Sequence, residues 1–206
     1  MLDPSNVPFQ QSALLVVDAQ DSFKASPRWK RRNNPKFEEN VHTLIEIYRA
    51  AHLPIVFFLH TDNDEGFATS SPHFKLMDFI KPLPDEPVLV KKTRNCFTST
   101  SLQPLLLEKG VRRVVITGIQ TEQCCETTAR VAADLGYAVD FITEATITFP
   151  IPNWDRPGEE LGVDDIVERT EYALRRRFAR IATVAQLMDE AERVNSRSGK
   201  HVPRLR

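Results

Sequence analysis

Cys124 is the residue whose type and setting best suit covalent chemistry. It follows an apolar run, Val114-Val115-Ile116, and a turn residue, Gly118, and it precedes a helical pattern of Thr127, Ala129, Val131, Ala132, Ala133 and Leu135 that stops at Gly136. That order places the thiol near a helix N-terminus, where unpaired backbone N–H groups and the positive end of the helix dipole favour the thiolate. Three other polar positions close apolar runs: Asp18 after Ala13–Val17, His60 after IVFFL, and the pair Lys91-Lys92 after Val88-Leu89-Val90. A carboxylate that takes the thiol proton and returns it to a leaving amine, with an ammonium beside both, would make Cys124 a nucleophile for acyl transfer. Backbone N–H groups of the turn before it are suited to a tetrahedral oxyanion. The plainer alternatives stay open: most cysteines are small buried hydrophobes, and an Asp after a strand is often a turn or capping residue.

These residues need a scaffold that brings strand ends together. Short apolar runs alternate with longer helical patterns along the chain: Phe37, Val41, Leu44, Ile45 and Tyr48 recur at helical spacing, and Thr100 or Ser101 caps a helix with Pro104 in its first turn. A shorter amphipathic piece surrounds Phe74, Met77 and Ile80, and Val139 to Ile142 is a fifth strand. A helix from about Asp164 to Arg180 precedes IATV, a candidate sixth strand, and Leu187 lies in a closing helix. Strands that are apolar throughout are buried on both faces, so the pattern predicts a three-layer α/β/α, Rossmann-like fold with a mostly parallel six-stranded sheet. Ligands in such sheets bind at the carboxyl ends of the strands, where Asp18, His60, the two lysines and Cys124 fall. Residues 1–195 read as one domain and 196–206 as a flexible basic tail.

Composition limits the setting. The chain has 206 residues, 41% of them hydrophobic, enough for one full core, and its net charge of -1 provides no field for nucleic acid or an anionic membrane. No apolar run approaches the roughly 20 residues of a spanning helix, and no basic region followed by an apolar stretch opens the chain. Three cysteines, two of them adjacent, do not make a disulfide framework. A cytoplasmic protein acting on a small molecule is the expectation.

Three blocks, in order, carry a family resemblance. LLVVDAQDSF resembles the first strand of the isochorismatase-like cysteine hydrolases, VKKTRNCFTSTSL resembles their lysine strand, and GIQTEQCCETTARVAADLGY resembles their nucleophile elbow. The resemblance spans residues from about 12 to 145, and the family includes nicotinamidases, amidases of small amides and ureido compounds, and isochorismatase itself. It implies that Cys124 is the nucleophile, Asp18 the acid/base and a lysine the third member. Alignment on Phe97, Thr100 and Leu102 selects Lys91, with Lys92 as the fallback because adjacent strand residues face opposite ways. It also implies a cis peptide between Ile119 and Gln120, an oxyanion hole from Gln120 and Cys124, and a homodimer or homotetramer.

Two departures narrow the chemistry. Nicotinamidases of the family carry an Asp-x-His pair and a further His that ligate a metal, whereas this chain has His60-Thr61-Asp62-Asn63-Asp64 and a distant His73. A solvated acidic loop, or a weak cation held by oxygens, replaces that site, so no metal and no cofactor is expected and nicotinamide is disfavoured. A cysteine at the nucleophile position favours C–N hydrolysis through a thioester over the vinyl-ether chemistry of isochorismatase; a catalytically inactive binding module on the same fold is the other alternative. Phe23, His60, Asp62 and Phe97 are the candidate substrate-binding residues. Cys125 reads as core, Cys96 as core or pocket border, Arg175-Arg176-Arg177 and Arg180 as the solvated face of a helix, and the loop around Trp154 as a lid or oligomer contact.

Overall fold

A computed structural model describes residues 3–64 and 66–197. In chain order the main elements are β1 (Ser12–Val17), α1 (Phe37–Ala50), β2 (Ile55–His60), β3 (Val88–Lys91), α2 (Leu102–Glu108), β4 (Arg113–Ile119), a π-helical turn (Thr121–Cys125), α3 (Glu126–Asp134) and β5 (Ala138–Ile147). A two-residue hairpin of β6 (Ile151–Pro152) and β7 (Glu160–Leu161), then α4 (Val163–Leu174), β8 (Arg180–Ile181) and α5 (Val184–Arg197), complete them. The six-stranded sheet has the order β3-β2-β1-β4-β5-β8, and every pairing in it is parallel.

The alternation along β1 shows why its sequence is apolar throughout. Leu14 and Val16 pack on one side with Val41, Leu44 and Tyr48 of α1 and Leu187 of α5. Ala13, Leu15 and Val17 pack on the other with Leu102 and Leu106 of α2, Ala129 and Ala132 of α3 and Leu174 of α4. Both faces are covered, so three layers form, as a parallel sheet requires.

The strand order reverses between β1 and β4, which opens a crevice at their carboxyl ends. Gly118 lets the two strands close there. It pairs with Val17 and has φ +127°, and a Cβ at this position would lie 1.9 Å from the Val17 carbonyl oxygen. Gly118→Ala is therefore expected to cost more than about 4 kcal/mol, at the extreme of single-residue effects, with little folded protein recovered. A Gly118→Ala protein that melts within a few degrees of the parent would contradict this packing.

The amphipathic piece around Phe74, Met77 and Ile80 forms turns, bounded by prolines at 72 and 82, and the Met77 N–H donates to Ala19 O at 2.9 Å. Three sequence expectations change. The helix expected to reach Arg180 ends at Leu174, and Arg176 turns the chain with φ 61°. Arg180 is consequently in β8, partly buried, donating to Asp140 at 2.6 Å and Glu190 at 2.9 Å, in a network with the fully buried Arg113 of β4 that ties α5 to the sheet. Strand β5 runs for ten residues against the four of the apolar run 139–142, since Thr146 and Ile147 resume pairing with β4 after a register shift. The closing helix passes residue 195, and 198–206 of the expected tail lie outside the described residues. Among the described residues no helix is long and apolar enough to cross a membrane.

Candidate active site

Three strand ends meet at the β1/β4 crevice. Asp18 follows β1 in a left-handed conformation, φ 48°, that turns the chain off the strand and leaves its side chain fully buried. Lys91 is the last residue of β3, in register with His60 of β2, and its ammonium lies 2.8 Å from Asp18 Oδ2. The same nitrogen is 3.4 Å from Cys124 Sγ, 3.3 Å from His60 Nδ1 and 3.1 Å from Thr93 O. Cys124 sits in the π-helical turn between β4 and α3, and the Ile119–Gln120 peptide before that turn is cis. Lys92 is exposed, with its backbone N–H on Ser99 Oγ. Alternation along β3 has sent one lysine inward and its neighbour to solvent.

Electrostatics differ from what the helix N-terminus alone predicts. Burial, followed by the Asp18 charge, pushes the Cys124 thiol up to about 12 against the opposing pull of Lys91. The resting residue is thus a thiol rather than the thiolate that its place at the helix start suggested. Burial works against the charge on Lys91, but Asp18 and then Cys124 outweigh it and hold its pKa above the ordinary lysine value. For His60, burial and then the charge of Lys91 lower the pKa, so the imidazole is neutral at neutral pH.

A cavity of about 840 Å³ opens above Cys124, within the range of small-molecule sites. Asp18, His60, Asp62, Gln120, Cys124 and Phe23 all line it. Phe23 stands edge-on to Phe67 at 5.0 Å and stacks with Phe149 at 6.0 Å, forming an aromatic wall. Phe97, expected at the pocket, does not line it. It stacks on Tyr137 at 5.9 Å inside the second core layer, because the turn at Asn95 carries it behind the sheet. Cys96 is buried beside it, held by Thr128. Cys125 is fully buried in the same layer. Trp154 also stays away from the cavity, 86% exposed on the β6–β7 hairpin, whose base Glu160 pairs with Arg31; the preceding Phe149 is the residue of that segment that reaches the pocket.

Several contributors have no local sequence signal. Gln20 spans two strand ends, accepting from the His60 N–H at 2.7 Å and donating to His60 O at 3.1 Å, which locks β2 against the loop after β1. Arg28, Phe67 and Arg94 line the cavity from segments distant in sequence, and Gln123 lines it from the π-helical turn beside Cys124. A metal does not fit at His60: Nδ1 faces the Lys91 ammonium and Nε2 faces Arg94, at 3.0 Å, so two cations already occupy its surroundings. No group of three or more His, Cys, Asp or Glu side chains arranged for a metal occurs among the described residues.

The isochorismatase domain model matches residues 12–189. An uncharacterized isochorismatase family protein, YrdC of Bacillus subtilis, is 29% identical over 183 residues, covering 88% of this chain and 96% of that protein. Nicotinamidase 3 of Arabidopsis thaliana is 34% identical over 154 residues, covering 67% of this chain and 74% of its own length. Among solved structures, a putative hydrolase of the isochorismatase family from Chromobacterium violaceum superposes with a TM-score of 0.83 at 26% identity, covering 93% of this chain and 97% of that one. With a family model matched from β1 into α5, and the same fold in a solved relative, the chain belongs to the isochorismatase family of hydrolases.

Proposed function

We propose that this hydrolase cleaves a C–N bond, in an amide or ureido group of a small molecule, through a thioester on Cys124 with Asp18 and Lys91 completing a triad. The observation that carries the reading is the single ammonium of Lys91, 2.8 Å from the Asp18 carboxylate and 3.4 Å from the Cys124 sulfur. The nicotinamidase relative supports the amide class.

A thiol pushed up to about 12 is a poor nucleophile until a base takes its proton. In the proposed sequence Asp18 accepts that proton as sulfur attacks the carbonyl carbon, and the C–S bond forms. The oxyanion develops toward the backbone N–H groups of Gln120 and Cys124, where fixed donors act strongly because little water competes. Asp18 then gives the proton to the leaving nitrogen, the C–N bond breaks, and a thioester remains. Water enters, yields a proton to Asp18 and attacks the thioester; the C–S bond breaks and the thiol recovers its proton. Lys91 stays charged throughout, offsetting negative charge as it passes between sulfur and carboxylate. Three free cysteines suit a reducing compartment such as the cytoplasm, and the exposed hairpin around Trp154 suits contact in a homodimer or homotetramer.

Two neighbouring cysteines provide the test. Cys124→Ala is expected to abolish turnover of any substrate found in a panel of small amides, ureido acids and lactams, followed as ammonia release or, for a lactam, as appearance of the ring-opened amino acid, while the fold persists. Cys125→Ala removes only a buried packing atom and should retain most activity. Equal damage from both substitutions would undo the nucleophile assignment.

A further inference from the structure

Arg94 is exposed at the wall of the cavity, and among the described residues its one side-chain hydrogen-bond contact is with His60. Its Nη1 lies 3.0 Å from His60 Nε2, but that nitrogen also faces Asp62 Oδ2 at 3.3 Å, while Nδ1 of the same ring faces the Lys91 ammonium at 3.3 Å. A neutral imidazole has one acceptor nitrogen and one N–H. Both cations beside the ring can only donate, so the ring accepts from one of them and meets at most one of the five N–H groups of Arg94. Among the described residues it forms no ion pair, and the carboxylates nearby are engaged within their own loop: Asp62 Oδ1 accepts from the Asp64 N–H at 2.9 Å, and Asp64 Oδ1 from the Gly66 N–H at 3.1 Å.

We infer that Arg94 is a substrate-binding residue that takes a carboxylate, so that the substrates are small amides or ureido compounds bearing an acid group away from the scissile bond. This deepens the C–N hydrolase reading and rests on it. The guanidinium presents a planar pair of donors matched to a carboxylate, and an incoming anion supplies acceptors for the N–H groups that His60 does not meet. Arg94 lies in the wall of the same cavity that ends at Cys124, and it connects to Lys91 through a single imidazole, which sets a short chain between the acid and the reacting carbonyl. The second arginine of the cavity, Arg28, lies over the Phe149 ring at 5.2 Å and is engaged there.

The test compares compounds matched in length and differing only in the acid: succinamate with butyramide, glutaramate with valeramide, and 3-ureidopropionate with propylurea. Turnover is followed as ammonia release by the unaltered protein, and binding by calorimetry on the Cys124→Ala protein, which separates recognition from chemistry. Acids are expected to lead their neutral partners by about 30-fold or more in kcat/KM and in affinity, as a charge-assisted bidentate contact provides. The preference should shrink at high salt. Arg94→Met should reduce the acid-to-neutral ratio to within about threefold, and Arg94→Lys should leave an intermediate ratio. Preferential binding of acids without ammonia release would uphold the anion site and overturn C–N hydrolysis. Equal ammonia release from acids and neutral partners would do the reverse. The absence of an acid preference in every pair, or a preference that survives in Arg94→Met, overturns the assignment to Arg94.

Discussion

Asp18→Asn is expected to make Cys124 more reactive toward iodoacetamide while removing its turnover. The two effects have opposite signs because Asp18 has two roles toward the thiol. At rest its charge is, after burial, the largest influence keeping the Cys124 pKa near 12. Taking that charge away leaves Lys91, 3.4 Å from the sulfur, to act on the thiol without its counter-ion, so the pKa falls toward the usual value. Below the pKa, each unit of decrease raises the thiolate fraction, and with it the alkylation rate at a fixed pH, about tenfold. Turnover behaves differently: the amide of asparagine cannot accept the proton during attack, and losing a general base typically costs 10²–10⁴-fold. Mass-spectrometric labelling of Cys124 between pH 7 and 10, beside ammonia release from the best substrate, measures both. Alkylation that slows in parallel with turnover would show that Asp18 does no more than hold the site's shape.

The larger loss of stability is expected from Lys91→Met. Lys91 and Asp18 are both 0% exposed, and each is the other's charge partner. Removing the ammonium leaves a carboxylate buried without compensation, a defect that costs about 3–5 kcal/mol when one member of a buried pair is deleted. Turnover should fall by about 10³-fold or more, since negative charge then builds at the sulfur with no cation beside it. The adjacent Lys92→Met serves as the control. Its side chain is exposed, and substitutions at such positions usually change stability by no more than about 0.5 kcal/mol. Urea midpoints and steady-state kinetics on the two variants decide the matter. If Lys92→Met reproduces the losses and Lys91→Met does not, the lysine that serves the site is the other one.

The distribution of polar residues at strand ends was legible in the sequence because it depends on local pattern. Ala13–Val17, Ile55–Leu59 and Val114–Ile116 are apolar at consecutive positions, which only strands covered on both faces tolerate, and Asp18 and His60 mark where the first two stop, whereas Gly118, read as a turn, stays paired within β4, which runs on to Ile119. A helical pattern after Cys124 likewise located it at the junction of β4 and α3. The sequence thus determined an α/β sheet with an acid, a histidine, a lysine pair and a cysteine on one rim.

Tertiary structure decided what spacing along the chain does not encode. The choice between Lys91 and Lys92 depends on which face of β3 turns inward, and that follows from pairing with β2, where His60 lies opposite Lys91. Phe97 and Phe149 are both aromatic residues near recognisable segments, yet the turn at Asn95 carries one into the core while β5 runs on to deliver the other to the pocket. Arg94 gained its place only once a histidine 34 positions earlier lay beside it. The protonation of Cys124 shows the limit most clearly. A helix N-terminus argues for a thiolate, but burial and the Asp18 charge argue for a thiol, and the second pair prevails. Local periodicity is written in the chain, whereas desolvation and charge proximity arise only when segments far apart in sequence are packed together and water is removed from between them.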